Sequence, residues 1–367
     1  MSRVDELIAD LCPRGVQRKL LGEVARIKNG KDHKPLGDGD VPVYGSGGIM
    51  RHVDTAAAEG PAVLIPRKGS LGNIFYVEGP FWVVDTIFRT EIDSSQIDPK
   101  FLYYKLLTMK LGEMNQAGGV PSQTQSVLNS LTIPVPPLEV QREIVRILDL
   151  FTQLEAELEA ELEARSRQYR HYRTQIVSQS QGGEKFSLGE LEDRGIVKLG
   201  RGKVLSKIAI ADSPGDYPVY SSSGSGTGEF GRYGHYMFDD ERITWSVDGG
   251  GRFFYRHPHR FSVTNVSGWM TIDSSVLRVK YLYYVLTVQW EDLIFDYTRK
   301  AHPSVIRDVY ELSIPPLHEQ DKVVAQLDGF DALVNDLSAG LPAELTARRK
   351  QYEYYRDKLL TFKEATA

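Results

Sequence analysis

Residues 136–173 read PPLEVQREIVRILDLFTQLEAELEAELEARSRQYRHYR, and this stretch decides how the chain is organised. Because residues 138–177 hold no Gly or Pro, they predict one helix of about 40 residues and roughly 60 Å. So narrow an apolar face needs a partner that buries it. Its apolar positions, spaced by three and four, are Val140, Ile144, Ile147, Leu148, Phe151, Leu154, Leu158 and Leu162.

The chain repeats itself at about half its length. The motifs at residues 81–83, 92–95 and 102–104 recur 180 residues later without a gap between them. Downstream, the Pro-Pro-Leu motif at 136–138 recurs at 315–317. An ordered series at one nearly constant offset indicates a duplicated domain and not a solenoid of short repeats.

Each half has the same internal order. Short apolar runs such as AVLI and FWVV alternate with Gly and Pro turn signals, which predicts strands and loops. A helical stretch begins near Phe101 or Tyr281, and the proline pair and long helix follow. The second long helix begins at Leu317 and meets Gly340-Leu341-Pro342, which predicts a break into two helices. We therefore expect two α/β (α+β) globular domains and two long antiparallel helical regions, related as pseudo-twofold copies.

Composition restricts the class of protein. The 367 residues exceed one ordinary domain, and a net charge of −5 means that any nucleic-acid site is a local basic patch. Cys12, the one cysteine, excludes an internal disulfide and a thiolate zinc cluster. The N-terminal residues are too acidic for a signal peptide, and no stretch approaches the roughly 18 apolar residues of a membrane span. We expect a cytoplasmic protein without membrane contact.

The sequence contains no convincing catalytic constellation. Residues 226–231 match G-x-G-x-x-G, but they continue into RYGHYMF, which is not a helix as a dinucleotide site requires. His257 and His259 could bind a metal, yet no nearby Cys or further His completes the ligand set. A phosphate-binding Walker loop, a nucleophile elbow and the amino-methyltransferase tetrad are all missing. We therefore expect a chain without catalysis, bound metal or bound cofactor.

Gly-rich loops with basic and hydroxyl side chains lie at equivalent places in the two halves, at 44–52 and 66–72 and again at 220–236 and 248–260. Glycines let a backbone approach phosphates closely, and Arg can read guanine edges bidentately. Ordinary solvated loops are the alternative. The candidate DNA contacts are Ser46, Arg51, His52, Arg67, Lys68, Ser70, Ser222, Arg232, Tyr233, His235, Arg252, Arg256 and Arg260.

Two motifs in duplicate carry a resemblance to a known family. Pro-Pro-Leu-x-x-Gln stands at 136–141 and 315–320, and Gln-Tyr-x-x-Tyr-Arg stands at 168–173 and 351–356. This arrangement, over essentially the whole chain, resembles the specificity subunit of type I restriction–modification enzymes. The resemblance implies target-recognition domains at residues 1–132, with a short N-terminal helix, and 183–311. It implies conserved helical spacers at 133–182 and 312–367.

The resemblance also implies a division of labour. Each recognition domain would read one half of a bipartite, asymmetric site on double-stranded DNA. The helices would fix the gap between the half-sites and dock two methyltransferase subunits, which supply S-adenosylmethionine and N6-adenine chemistry. Two restriction subunits with ATP and Mg²⁺ would complete a nuclease. The spacer and docking residues would be Leu138, Gln141, Leu154, Leu158, Leu162, Gln168, Tyr169, Tyr172, Arg173, Leu317, Gln320, Gln351, Tyr352, Tyr355 and Arg356.

Three alternatives stay open. One is a related recognition subunit whose partner is a fused restriction–methylation chain. Another is a structural coiled-coil adaptor without a DNA role, which explains the helices but not the duplicated loop-rich domains. The last is an enzyme that uses a histidine site. The Leu-Glu-Ala-Glu steps at 154–162 resemble the family's length-variable repeat, and their glutamates are expected to form a solvated face.

Overall fold

The computed structural model describes residues 3–114, 119–222, 226–296, 298–335 and 340–365. Its contacts divide the chain into two units, which differ from the two halves of the sequence. Unit 1 combines Met1–Glu159 with Leu345–Ala367, and unit 2 is Ala160–Glu344. Each unit therefore takes a globular domain from one copy and helical segments from both copies. The four boundaries predicted above stay a prediction.

The elements of the first copy follow the expected order of strands, short helix and long helix. Its helices are α1 (Arg3–Leu11), α2 (Leu21–Val24), α3 (Pro99–Thr108), a 3₁₀ turn (Leu111–Met114), α4 (Gln125–Asn129) and α5 (Leu138–Ser180). Its strands are β1 (Arg18–Leu20), β2 (Ala25–Asn29), β3 (Val41–Gly45), β4 (Gly48–Val53), β5 (Ala58–Glu59), β6 (Ala62–Pro66), β7 (Phe75–Val77), β8 (Pro80–Val83), β9 (Ile87–Ile92) and β10 (Thr132–Pro134).

The second copy repeats this order. Its helices are α6 (Leu188–Asp193), α7 (Lys207–Asp212), α8 (Val279–Trp290), α9 (Pro303–Val309), α10 (Leu317–Asn335) and α11 (Gly340–Leu359). Its strands are β11 (Phe186–Ser187), β12 (Val197–Arg201), β13 (Tyr217–Tyr220), β14 (Glu229–Tyr233), β15 (Arg242–Ser246), β16 (Phe253–Arg256), β17 (Ser262–Val263), β18 (Ser267–Ile272) and β19 (Glu311–Leu312). The break was predicted at Gly340-Leu341-Pro342, which forms the start of α11, and residues 336–339, between the ends given for α10 and α11, lie outside the described residues.

The sheets show the duplication directly. Unit 1 has the strand orders β2-β9-β6-β7 and β4-β3-β8-β5, and unit 2 has β12-β18-β15-β16 and β14-β13-β17. In the second sheet of each unit one pair is parallel, β3 with β8 and β13 with β17. The same register shift occurs at Val43/Tyr44 and at Val219/Tyr220. The predicted α+β class and the duplicated architecture are confirmed.

A buried glutamine joins each long helix to its globular domain. Gln141 is 0% exposed; its Nε2 donates to the carbonyls of Pro136 (2.7 Å) and Gln96 (3.0 Å), and its Oε1 accepts from Asp98 N (2.7 Å). Asp98 is the N-cap of α3, so one amide ties the start of α5 to the start of α3.

Gln320 repeats the arrangement in unit 2. It is also 0% exposed, donates to the carbonyls of Pro315 (2.8 Å) and Val276 (3.0 Å), and accepts from Arg278 N (2.7 Å). The Gln of each Pro-Pro-Leu-x-x-Gln motif therefore satisfies three backbone groups that burial removes from water. A role inside the chain fits Gln141 and Gln320 better than contact with a partner subunit.

A carboxylate two turns further along each long helix makes a second connection. In unit 1, Asp149 accepts from Lys100 Nζ (2.9 Å) and from Tyr104 Oη (2.7 Å), both on α3. In unit 2, Asp328 accepts from Lys280 Nζ (2.7 Å) and Tyr284 Oη (2.6 Å), both on α8. Burial, followed by the hydrogen bond to the carboxylate, raises the pKa of the Tyr104 and Tyr284 hydroxyls, so both remain donors near neutral pH.

One residue of the predicted apolar face of α5 is exposed, and Val145, Tyr169 and Val177, which the prediction did not include, are buried. Leu154 is 46% exposed, so its assignment to the face that pairs with the other long helix, here called the seam, is corrected. Phe151 and Leu158 are half-buried in that seam. At about 100° per residue, Leu154 lies some 60° to one side of Phe151 and Glu155 about 40° to the other. Glu155 takes the seam position at this level.

That position makes Glu155 part of the helix pairing in unit 1. Arg349 of α11 donates to Glu155 (Nε to Oε1, 2.7 Å) and to Glu159. Phe151 packs on Tyr355 of α11, with ring centroids 5.8 Å apart. Higher numbers on α5 meet lower numbers on α11, so the pair is antiparallel as predicted. The expectation that all these glutamates form a solvated face is corrected for Glu155, which is half-buried in the helix pairing, whereas Glu159 is exposed as expected.

Unit 2 contains the matching helix contacts. Tyr172 of α5 stacks on Phe330 of α10 with ring centroids 6.1 Å apart, and Tyr169 Oη donates to Asp331 (3.2 Å). Phe330 corresponds to Phe151 in the duplication, and Tyr172 corresponds to Tyr355. In each unit, therefore, a phenylalanine from one copy packs on a tyrosine from the other copy.

We predict that Gln141→Ala lowers the free energy of unfolding by about 2–4 kcal/mol, because three buried backbone groups lose their partner. Gln320→Ala should produce a loss of the same size in unit 2. Gln153→Ala is the control, since Gln153 is exposed on α5 and its side chain donates to the exposed Glu157. Denaturant titration of the full chain measures the effect. Equal losses for Gln141→Ala and Gln153→Ala would contradict this role.

We predict that Leu158→Asp destabilises the chain by roughly 1–3 kcal/mol, since it places a charge in the half-buried seam. Leu154→Asp, one helical turn earlier but 46% exposed, should change stability by less than about 0.5 kcal/mol. Thermal melts of both variants compare the positions directly. An equal fall in the two melting temperatures would contradict the assignment of Leu158, and not Leu154, to the seam.

Candidate nucleic-acid interface

Two loops of the first domain meet at one end of the β3–β4 hairpin. A turn at Ser46-Gly47 joins the strands, and Asn73 Nδ2 donates to the Ser46 carbonyl (3.1 Å). Gly69 has φ +83°, and a Cβ there would lie 3.1 Å from Ser46 Oγ, so the glycine leaves room for the Ser46 side chain. We call residues 46–50 with 67–73 the first tip.

The first tip carries a basic side. Lys68 is exposed, and Arg67 is half-buried with its guanidinium 5.7 Å from the ring centre of Phe88. The backbone of this loop is fixed, because Gly69 N donates to Pro121 O (2.9 Å) and Gln123 Nε2 donates to Pro66 O (2.6 Å). Ser46, Arg67, Lys68 and Ser70 of the candidate contacts are thus brought to one surface.

The second domain forms the corresponding second tip, residues 221–222 and 246–252. Ser246 Oγ donates to the Ser222 carbonyl (3.1 Å), and Trp290 Nε1 donates to Gly250 O (2.7 Å). Gly250 and Gly251 have φ of +88° and +75°, a conformation that favours glycine. Arg252 lies 5.1 Å from the ring centre of Phe254. Residues 223–225 of the serine-rich loop lie outside the described residues.

Arg256 lies beneath this surface. It is 5% exposed, its Nε donates to Thr244 Oγ1 (3.0 Å), and its guanidinium lies 3.5 Å from the ring centre of Tyr220. Burial lowers the pKa of this guanidinium to about 10, so it remains a cation at neutral pH. The geometry suits support of the Tyr220 ring better than contact with a phosphate.

The other candidate contacts lie at the opposite end of each hairpin. Arg51 donates to Leu36 O (2.6 Å) and pairs with Asp38 (3.8 Å), and the exposed His52 is its neighbour in β4. In unit 2 this end carries Arg232 and Arg260, with Tyr233 and His235 adjacent to them. Arg232 donates to Glu229 and to the Asp216 carbonyl, and Arg260 donates to Tyr217 Oη. These side chains are held by their own domain and form a group separate from the tips.

The histidine pair predicted as a weak metal candidate is held by local contacts. His259 Nδ1 lies 2.7 Å from the His257 carbonyl, and His259 Nε2 lies 3.1 Å from Tyr220 Oη. Within the residues that the structure describes, no group of three His, Cys, Asp or Glu side chains could hold a metal ion. In the same residues, no helix combines the length and the apolar character that crossing a membrane requires.

The helix residues assigned to docking divide by exposure. Tyr169 and Arg173 are buried, and Arg173 Nη2 donates to Glu291 (2.5 Å) within unit 2. Gln168 and Gln351 are exposed, and Tyr172 and Tyr355 keep an open ring edge. Leu138, Leu162, Leu317, Tyr352 and Arg356 are half-buried. A cavity of about 300 Å³ opens in unit 2 beside Tyr169, Tyr172 and Phe330.

Sequence reasoning missed the residues that connect domain and helix. Lys100, Tyr104 and Asp149 recur as Lys280, Tyr284 and Asp328, at offsets of 180, 180 and 179. A search for polar residues at the duplication offset would have found them. It also missed Ile49 and Met50, whose exposure at a hairpin turn becomes visible only in the structure.

Known specificity subunits match this chain, one of them over nearly its whole length. A type I restriction enzyme specificity subunit of Haemophilus influenzae is 29% identical over 378 residues, covering 95% of this chain and 96% of that protein. A type I specificity subunit of Mycoplasma pneumoniae is 34% identical over 238 residues, covering 63% of this chain and 93% of that protein.

Solved structures share the fold. The crystal structure of a type I restriction–modification S subunit from M. genitalium has a TM-score of 0.58 at 15% identity, covering 94% of this chain and 96% of that one. A second solved chain, from a study of assembly of the type I restriction–modification system, has a TM-score of 0.60 at 15% identity, covering 95% and 98%.

The family described as the type I restriction modification DNA specificity domain matches residues 13–164 and again residues 184–347. The two matches correspond to the two copies recognised in the sequence and seen in the sheets. Because they cover most of the chain, this protein is a member of the type I restriction–modification specificity-subunit family.

Proposed function

We propose that this chain is the DNA-reading subunit of a type I restriction–modification complex, in which each globular domain reads one half of a bipartite site. The observation that carries the proposal is the pair of equivalent tips. The first tip combines a β-hairpin turn with a glycine-containing loop that carries Arg67 and Lys68. The second tip combines residues 221–222 with a glycine-containing loop that ends at Arg252. Two different tips on one duplicated scaffold suit two different half-sites.

The double connection between helix and domain supports a spacing role for the helices. Gln141 and Asp149 hold α5 at two levels of unit 1, and Gln320 and Asp328 hold α10 in the same way in unit 2. A domain held at two points cannot swing freely about its helix. The length of α5, and so the number of Leu-Glu-Ala-Glu steps, then sets the gap between half-sites.

The chain is proposed to work without chemistry of its own. Methyltransferase subunits, expected in two copies, would supply S-adenosylmethionine and methylate adenine at N6, and restriction subunits would use ATP and Mg²⁺. The exposed Gln168, Gln351, Tyr172 and Tyr355 at the helix ends are the proposed contacts for those subunits. Co-purification distinguishes separate methyltransferase and restriction chains from one fused chain.

We predict that Lys68→Glu lowers the affinity of the assembled complex for its site on the order of tenfold, by replacing a phosphate contact with repulsion. The slope of log K against log salt should also fall by about 1. Adding Arg67→Glu should extend both effects, and Arg252→Glu should act in the same way on the other half-site. Fluorescence anisotropy with a labelled duplex measures both quantities.

The matched control is Lys34→Glu. Lys34 is exposed and lies two residues before Leu36, whose carbonyl accepts a hydrogen bond from Arg51 at the base of the hairpin. It introduces the same charge change away from the first tip. If Lys34→Glu and Lys68→Glu weaken binding equally, general electrostatics and not the tip explains the loss.

We predict that co-expression with its methyltransferase subunit yields one split adenine-methylation motif, and that deletion of residues 155–158 changes the gap without changing either half. The deletion shortens α5 by about 6 Å, comparable to one or two base pairs. It also brings Glu159 and Glu163 into register opposite Arg349, where Glu155 and Glu159 now lie. Sequencing of methylated DNA measures motif and gap together.

Two outcomes of this experiment contradict different parts of the proposal. Methylation that does not depend on this chain would remove the DNA-reading role. A split motif with an unchanged gap in the deletion variant would keep that role and remove the spacing function of α5.

A further inference from the structure

Large apolar side chains are exposed in the first tip, where the proposed function has no use for them. Ile49 is 54% exposed and Met50 is 59% exposed, side by side after the turn of the β3–β4 hairpin. A Cβ added at Gly47 or Gly48 would meet no described atom within 4 Å, so the turn is bare. Two exposed side chains of this size are neighbours here and so give the tip an apolar part, unlike apolar residues scattered singly over a surface.

The surroundings identify the chemistry of that ligand. The basic loop with Arg67 and Lys68 touches the same turn through Gly69 and Asn73, so apolar and cationic groups share one surface. Pro121, which braces Gly69, follows Val120, a further exposed apolar side chain. A ligand that suits both groups has negative charges along its outer surface and apolar groups inside a groove between those charges.

Duplex DNA fits this description. Its major groove admits a two-stranded β-ribbon, and β4 is the edge strand of its sheet, so the β3–β4 hairpin can enter as such a ribbon. Within that groove the C5 methyl of thymine is the apolar group of the base pairs, and phosphates line both sides. Lys68 and Arg67 would meet the phosphates while the hairpin turn faces the bases.

We infer that Ile49 and Met50 determine specificity in the first domain by contacting a thymine methyl group, so that its half-site contains an A·T pair at a defined position. The inference rests on the proposed DNA-reading function and deepens it. It assigns base readout to two side chains that carry no hydrogen-bonding group suited to base edges.

The second domain supplies a natural contrast. The hairpin registers match, with Tyr44 opposite Ile49 and Tyr220 opposite Glu229, so Glu229 occupies the position of Ile49. A carboxylate cannot make the same contact with a methyl group. The thymine contact is therefore a property of the first domain, and the two half-sites differ for a reason visible in the hairpins.

The test begins with the methylation motif of the complex and a 30-base-pair duplex that carries it. Each thymine of either half-site is replaced in turn by uracil, which removes the methyl group and keeps every hydrogen-bonding atom. One replacement should lower the affinity of the unaltered complex about three- to tenfold, as expected for loss of one buried methyl contact. This arm requires no variant, so folding defects cannot obscure it.

The second arm uses Ile49→Ser and Met50→Gln. Both should accept additional base pairs at that same position, keep the other half-site and the gap, and lose the uracil effect. Leu20→Ser is the control, because Leu20 is an exposed apolar residue of the same unit at the end of β1. It should leave motif and uracil effect unchanged.

Several results would overturn the inference. These are uracil replacements without effect at every thymine, or unchanged motifs for both variants. Loss of methyltransferase co-purification by both variants, together with uracil replacements that have no effect on the unaltered complex, would make the surface a protein contact instead. Methylation independent of the chain would remove the proposed function itself, which is a distinct outcome.

Discussion

The buried amide at the start of each long helix is the constraint on which the rest of the chain depends. Gln141 and Gln320 each bond three backbone groups where helix, short domain helix and proline pair converge. An amide offers a donor and an acceptor together, which neither a carboxylate nor an alkyl group can replace. The direction of each helix is thereby coupled to the domain that precedes it.

That coupling gives a spacer with a defined direction as well as a defined length. A helix attached at one point could pivot, but the carboxylate two turns later removes this freedom. In unit 1 the pairing of Arg349 with glutamates four residues apart adds a contact that every Leu-Glu-Ala-Glu step offers again. Inserting or deleting one whole four-residue step therefore keeps a glutamate opposite Arg349. Inserting or deleting fewer residues turns a different face of α5 toward α11.

The large elements and the duplication could be predicted from the sequence because they rest on periodicity and on Gly and Pro signals. The helix from Leu138 was predicted for these reasons, and the structure contains it as α5. Leu154 was misplaced because the apolar pattern alone gives no weight to a glutamate in the seam, and Glu155 is stabilised there by Arg349. The bonds of Gln141 could not be read from the sequence, because its three backbone partners lie up to 45 residues away. The loop candidates were found by composition, but which of them meet at a tip depends on contacts that composition does not encode.

The exchange of helices between the copies has a consequence for how the chain folds as it is synthesised. Leu360 and Phe362 lie in the core of unit 1, and Val16 bonds the backbone of Lys363 near the other end of the chain. Unit 2 consists of one continuous segment and can form as soon as that segment has left the ribosome. Unit 1 begins earlier but is completed last, so its unfinished core stays exposed until the final helix emerges.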